Sequence, residues 1–335
     1  MILGIESSCD DSSIALMDID NFELKKYKKI TQENEHSKFG GVVPELAARL
    51  HTAAIPNLIE DVKEFFTSIK AVAVTNEPGL SVSLISGVSA ARALSLALGI
   101  PLIGVNHLIG HIYSLFLDKN VVLPLGVLLV SGGHTMVLNI DESGYIKLIA
   151  TTSDDSFGES FDKVAKMMDL GYPGGAIIEK LALSGDKNRF NFTVPLKHDK
   201  RLEYSFSGLK NQVRTQISKF ESLSLQDKSD IASSFQYTAI SHITDKLEKI
   251  FSEYKFKNFG AIGGGSANQV LRSNLEQICE KFGSNLMFAP LKFCSDNAAM
   301  IARAGVCKYK NKCFTKPLDM SINPICKLDG ANLYF

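Results

Sequence analysis

Ile2-Leu3-Gly4-Ile5-Glu6-Ser7-Ser8 is an apolar strand that runs into small polar residues ahead of a second strand, and Val127-Leu128-Leu129-Val130-Ser131-Gly132-Gly133 repeats that design later in the chain. The chain reads as a duplication. Around the first copy, Ile2 to Ile5, Ile14 to Ile19 and Lys26 to Ile30 form three strands separated by polar turns. A helical stretch from Pro44 to Phe66 follows, bent or interrupted at Pro56, then a strand at Ala71 to Val74 and a helix from Leu84 to Leu98 stopped by Gly99. Strand Leu102 to Val105 delivers a helix whose N-cap is Asn106. The second copy restarts the same order with strands Leu125 to Val130, Thr135 to Ile140 and Tyr145 to Ala150. Helical segments then occupy much of Gly158 to Tyr254, and Phe259 to Ile262 opens another βαβα run.

The 335 residues suit about two domains, each with enough apolar content to bury a core. The division expected from the pattern is a first lobe over 1–121, with the C-terminal helix and tail 298–335 packing back on it. The second lobe spans 122–297 and carries a helical insertion at about 155–255. Lys+Arg and Asp+Glu both count 36, so no global field draws nucleic acid or membrane to the surface. An RNA partner would have to meet a local patch. Lys25, Lys26, Lys28 and Lys29, the stretch Lys197 to Arg201, and Lys308, Lys310, Lys312 and Lys316 offer such patches, and each reads equally as a solvated face. Cys9, Cys279, Cys294, Cys307, Cys313 and Cys326 are scattered without a CxxC pair, which fits a reducing cytoplasm. Met1 leads directly into a strand with no basic, apolar leader, so neither a signal peptide nor a membrane anchor is expected.

Three segments carry chemistry. His107 and His111 in Asn106-His107-Leu108-Ile109-Gly110-His111 lie one helical turn apart, so both imidazoles face one way and form half of a transition-metal site or a hydrogen-bonded core pair. Ser131-Gly132-Gly133-His134-Thr135 can turn several backbone N–H groups toward a phosphate, or be a plain β-turn. Gly263-Gly264-Gly265-Ser266-Ala267-Asn268 between a strand and a helix is a nucleotide-binding arrangement, although neither a P-loop nor a GxGxxG dinucleotide pattern is present.

Two lobes with duplicated hairpins and a late glycine turn describe an α/β fold of the actin, Hsp70 and sugar-kinase (ASKHA, RNase H-like) class, with a central cleft. The chain also resembles a particular family, the universal tRNA threonylcarbamoyladenosine transferases in their bacterial form, TsaD, from the first strand to about Gly305. The resemblance is carried by Gly4-Ile5-Glu6-Ser7-Ser8-Cys9-Asp10, by Gly40-Gly41-Val42-Val43-Pro44-Glu45 with Arg49 and His51, by Pro78-Gly79-Leu80 and by Asn106 to His111. It continues through Val130 to Thr135, Gly158-Glu159-Ser160-Phe161-Asp162-Lys163, Tyr172-Pro173-Gly174-Gly175, Ser205-Phe206-Ser207-Gly208-Leu209-Lys210 and Cys294 to Ala302. Ser7, Asp11, Ser160 and Gly265-Ser266 depart from the family's usual residues, and the tail beyond Lys308 does not follow its basic ending.

The resemblance implies that threonylcarbamoyl moves from threonylcarbamoyl-AMP to the exocyclic amine of the adenosine beside the anticodon, at position 37, in tRNAs reading codons that begin with A. AMP leaves. It places one divalent metal, Fe²⁺ or Zn²⁺, on His107, His111 and Asp296. It places the adenylate, or a bound ATP or ADP, against Val130, Ser131, Gly132, Gly133, His134, Asp162, Gly175 and Asn268. Asp162 would accept from the ribose hydroxyls or pair with Lys163, and Gly175 would leave room for the nucleoside. Glu6 or Asp10 would position or deprotonate the attacking amine, or serve as a turn cap. Implied partners are tRNA, a shorter paralogous scaffold of the same fold (TsaB-like) and a small P-loop ATPase (TsaE-like), with no membrane. Two other readings stand beside this one. A metalloprotease would need HExxH, and Leu108 occupies the place of its glutamate. A non-catalytic nucleotide-binding scaffold would lack the three metal-ligand candidates.

Overall fold

The computed structural model describes every residue except Cys326 and Lys327. The chain forms two compact units: Met1–Leu123 with Glu142–Ile146 and Ala289–Phe335, and Pro124–Asp141 with Lys147–Phe288.

In the first unit, β1 (Ile2–Glu6), β2 (Asp11–Met17) and β3 (Leu24–Thr31) form an antiparallel meander, followed by α1 (Glu33–Ser37), α2 (Pro44–Glu60), β4 (Ala71–Glu77), α3 (Ser81–Leu98), β5 (Leu102–Asn106) and α4 (His107–Tyr113). The sheet order is β3-β2-β1-β4-β5, with β1 parallel to β4 and β4 parallel to β5. β2 starts earlier than expected and stops at Met17. Its end is set by Asp18, whose Oδ1 accepts the Asp20 and Asn21 N–H groups and turns the chain. α2 runs through Pro56 without interruption and ends at Glu60; a separate 3-10 turn covers Lys63–Ser68. Of the described helices, α3 alone has the length and apolar composition of a membrane span, with a mean hydropathy of 1.5. Its Leu84, Val88, Ala91 and Leu94 are buried, and Gly99 ends it in the left-handed conformation.

The second unit repeats the plan. β6 (Leu125–Val130), β7 (Thr135–Ile140) and β8 (Ile146–Thr152) precede α5 (Phe157–Met167), α6 (Gly174–Ala182), a short β9 (Glu203–Tyr204), α7 (Ser207–Ile217) and α8 (Leu225–Tyr254). β10 (Asn258–Ile262), α9 (Gln269–Phe282) and β11 (Asn285–Phe288) complete it. Its order, β11-β10-β6-β7-β8-β9, contains the first sheet's order with one strand added beyond the meander. Helices α5 to α8 pack through Phe157, Phe161, Phe206 and Phe235 onto the sheet side chains Leu128, Val130 and Val137. The last helix, α10 (Ala298–Lys310), belongs to the first unit.

His242 of α8 is enclosed in this second core, its Nε2 accepting the Ser205 N–H at 3.1 Å. Burial pushes its imidazole down to about 4. The neutral ring is thus favoured by folding, so its contribution is intact above the ordinary histidine range near 6.5 and is lost as pH falls toward 4. The loss should be on the order of 3 kcal/mol. Urea unfolding at pH 7 and pH 4.5 should show a steeper acid loss in the wild type than in His242→Gln; equal losses would remove His242 from the account.

Candidate metal centre

The first site grows from small residues that let helices approach closely. A Cβ on Gly4 of β1 would lie 2.6 Å from the Ala298 oxygen and the Ala302 nitrogen, and one on Gly110 of α4 would lie 2.8 Å from Ile301 Cδ1. Glycine at both positions brings α4, β1 and the start of α10 together. Asn106 caps α4, accepting from Leu108 and Ile109 N–H. Asn297 caps α10, accepting from Met300 N–H while its Nδ2 donates to the Phe293 and Ser295 carbonyls. Lys29 of β3 donates to the Asp296 carbonyl at 3.1 Å and pairs with Asp11, so the residue between these anchors is held at its backbone.

His107, His111 and Asp296 consequently offer ligand atoms within 4.8 Å of one another. His111 Nε2 stands 3.2 Å and His107 Nε2 3.4 Å from the same Asp296 oxygen. Bonds of about 2.0–2.1 Å to a tetrahedral ion require ligand-to-ligand edges of about 3.3–3.4 Å. Two imidazole lone pairs and a carboxylate oxygen also have nothing to exchange unless a proton or cation stands between them. The donor set fits a divalent metal. Chain order suggests that a ligand at 296 comes from the second lobe; instead all three residues lie in the first unit, because α10 packs on β1, β2 and β4.

Behind His107 stands Glu6, fully buried. His107 Nδ1 lies 3.2 Å from Glu6 Oε2 and 3.0 Å from Ser8 Oγ, Thr75 Oγ1 donates to the same carboxylate oxygen, and Ser8 N–H donates to Oε1 at 2.6 Å. A carboxylate that takes Nδ1–H leaves Nε2 as the bare nitrogen. Burial works against a charge on His107, but the carboxylates of Asp296 and Glu6 outweigh it and hold the ring well above its usual range. Asp296 is held well below the carboxylate range despite burial, chiefly by His107. At His111 burial prevails and lowers the pKa, which favours the neutral ring a metal needs. The Asp296 side chain is 26% exposed against 0% for His111, so approach is from the aspartate side. Ser8 and Thr75 had no assigned task in the sequence reading and Lys29 was read only as part of a basic patch, since nothing local marks a residue that supports a ligand brought from another strand. Asp10 lies half-buried on the turn between β1 and β2. Glu6→Gln keeps the shape and removes the charge; metal affinity measured by chelator competition should fall about 10- to 100-fold, with the melting curve still cooperative.

In the second unit, Val130 ends β6 in the core and Ser131–His134 forms the turn to β7, with Ser131 N–H bonded to the His134 carbonyl at 2.8 Å. Gly132 and Gly133 are exposed. The first turn of α5 abuts this hairpin: Ser156 caps α5 in a capping box with Glu159, and its hydroxyl lies 2.6 Å from the Gly132 carbonyl. The Ser156-x-x-Glu159 spacing encodes that start, a local signal that the sequence reading did not use. Gly265 of the later glycine turn rests against Val130, where a Cβ would meet the Val130 carbonyl at 3.1 Å. Asp162 Oδ1 accepts the Gly174 N–H at 2.7 Å, and Lys163 pairs with Asp155 and Glu159. Gly175 has open space where a side chain would stand. Asn268 caps α9 and donates to Gln236 at 2.8 Å, while Glu179 of α6 accepts the Gln269 N–H at 2.7 Å. Apart from Asp162 in the middle of α5, the candidate nucleotide residues therefore lie at element ends, all within one unit.

Two sheets of one order, each opening on a hairpin with small residues at its turn, define an α/β protein of the actin, Hsp70 and sugar-kinase class. Solved structures agree on the fold. Component A of the (R)-2-hydroxyglutaryl-CoA dehydratase of Acidaminococcus fermentans matches with a TM-score of 0.54 and 15% identity over 93% of this chain and 98% of its own. HypF of T. kodakarensis matches with a TM-score of 0.59 and 13% identity over 95% of this chain and 49% of its own. A family profile described as TsaD, tRNA N6-adenosine threonylcarbamoyltransferase, matches residues 24–303. Proteins of that description from Campylobacter curvus and a Campylobacter jejuni strain are 64% and 60% identical over 98% and 97% of this chain, and over 100% and 97% of their own length. The chain belongs to the tRNA N6-adenosine threonylcarbamoyltransferase family.

Proposed function

We propose that the chain transfers the threonylcarbamoyl group of threonylcarbamoyl-AMP to N6 of adenosine 37 in tRNAs reading codons that begin with A, in the cytoplasm. The bond from the acyl carbon to the phosphate oxygen breaks, a bond from N6 to that carbon forms, the amine gives up a proton and AMP leaves. The observation that carries the reading is the convergence of His107, His111 and Asp296 on one point with Glu6 behind them. We assign these three as ligands of one Fe²⁺ or Zn²⁺, since nitrogen and oxygen donors suit both. Such an ion, when bound, polarises a carbonyl and steadies a phosphate.

The chain's own residues do the rest. Glu6, enclosed and already accepting from Ser8 and Thr75, holds His107 and has no path to an amine. That leaves Asp10 to receive the amine proton. The Gly132 and Gly133 N–H groups of the Ser131–His134 turn hold the adenylate phosphate, and Asp162, Gly175 and Asn268 border the nucleoside. A paralogous scaffold and a small P-loop ATPase complete the working assembly. Leu108 is buried in the core, so the histidine pair has no neighbouring carboxylate of the protease kind. The test is a reconstituted reaction with unmodified tRNA, threonylcarbamoyl-AMP and the partners. Modified adenosine and AMP should appear in equal amounts; metal-loaded chain that forms neither refutes the proposal. Asp10→Asn should lower the rate by about 10²- to 10⁴-fold with metal content unchanged.

A further inference from the structure

The peptide between Cys9 and Asp10 lies outside the β1–β2 ladder, whose last partners are Glu6 and Ser13, so other groups must fix it. They do so from two helices. His51 of α2 approaches the Cys9 carbonyl with Nε2 at 2.9 Å, and Ser83 of α3 donates its hydroxyl to the same oxygen at 2.8 Å. One residue earlier, Leu80 N–H donates to the Ser8 carbonyl at 2.8 Å. Consecutive carbonyls of the turn are thus held from outside it. Because a peptide unit is planar, a fixed Cys9 carbonyl also fixes the nitrogen and Cα of Asp10.

The proton on His51 is placed by a chain of hydrogen bonds. Val43 N–H can only donate, so His36 Nδ1, 3.2 Å away, accepts, and the His36 Nε2–H faces Gln32 Oε1 at 3.0 Å. That orientation turns the Gln32 amide nitrogen toward His51 Nδ1 at 3.3 Å, where the Ser12 hydroxyl also donates at 2.6 Å. His51 Nδ1 is therefore the acceptor, and Nε2–H is the donor to Cys9. Burial lowers the His51 pKa, which keeps the ring neutral with that single N–H. Gln32, His36 and His51 are 3%, 0% and 0% exposed, and one direction of donation runs through them from Val43 to Cys9. Enclosed polar networks add little net stability over apolar packing of the same shape; what they add is a unique geometry. Here that geometry ends on the peptide ahead of Asp10.

We propose that His51 is a positioning residue for the transfer reaction, holding the Cys9 carbonyl so that Asp10 stands where it receives the amine proton. Fully enclosed, it acts through the peptide and touches no substrate. The proposal rests on the reading above in which Asp10 takes that proton. The reconstituted reaction would be run over a range of tRNA concentrations, with metal analysis and a thermal melt of each variant. His51→Leu should lower kcat about 10- to 100-fold, as expected when a reacting group is displaced, with KM for tRNA and metal content unchanged. His51→Gln, whose amide N–H can stand in for Nε2–H, should return kcat to within about threefold of the wild type. Ser83→Ala, a small change, removes the other donor to the Cys9 carbonyl and should lower kcat about two- to tenfold. In the Asp10→Asn background His51→Leu should cost nothing further, because both act on one proton transfer. Losses that multiply in the double variant would mean that His51 only supports the fold, and would overturn the proposal. Wild-type kcat in His51→Leu would overturn it as well, and if that variant does not fold, wild-type kcat in Ser83→Ala has the same force. An Asp10→Asn enzyme as fast as the wild type would instead overturn the reading on which the proposal rests.

Discussion

His111→Ala is expected to release the proposed divalent metal and to lower transfer activity roughly a thousandfold, the several kcal/mol that a metal contributes to charge stabilisation. His111 is fully enclosed, and its Nε2 shares one oxygen of Asp296 with His107. Removing it leaves two ligands, too few to hold an ion against water. Metal analysis of the purified variant beside the wild type is the primary measurement, and the reconstituted reaction is the second. Equal metal content in the two proteins would contradict the assignment of the centre whatever the activity. The change also opens a void beside the His107 ring, so a thermal melt should accompany the metal analysis and show a modest loss. Glu6→Gln provides the contrast, since it alters only the group behind His107 and should weaken metal binding without emptying the site.

Gly4→Ala should destabilise the first unit by about 3 kcal/mol, near the upper range for overpacking. The added methyl would meet the Ala298 oxygen and the Ala302 nitrogen at 2.6 Å, and both are backbone atoms that no rotamer change can move. Relief requires α10 to shift away from β1. Asp296 precedes that helix by two residues, so metal affinity should fall together with stability. Denaturant unfolding and metal titration on one preparation would show both; a stable variant with normal metal binding would mean that α10 does not set the ligand's position. Gly110→Ala is the milder counterpart, because its obstacle is the movable end of the Ile301 side chain.

Much of the architecture was legible because its signals are local. Alternating apolar runs marked the strands of both meanders, Gly99 and Asn106 marked a helix end and a helix start, and the spacing of His107 and His111 put both rings on one face of α4. The end of β2 and the uninterrupted passage of α2 through Pro56 were less accessible. One is set by a side-chain turn at Asp18, and the other by packing that leaves Ala54, Ile55 and Leu58 buried around the proline.

The sequence by itself determined that the chain is duplicated, which turns carry small residues, and that two imidazoles face one way, because each property depends on neighbours within a few positions. Only the tertiary structure decided which carboxylates serve those imidazoles and how. Asp296 reaches them because glycines at 4 and 110 let β1 and α4 close on α10, and Glu6 becomes the holder of His107 because burial surrounds it with Ser8, Thr75 and that ring. The Glu6–His107 and His111–Asp296 contacts link residues 101 and 185 positions apart in the chain, and no local pattern encodes them. Desolvation then sets the charges: in water the same four groups would titrate almost independently, whereas enclosed together they form an anionic setting that one cation can satisfy.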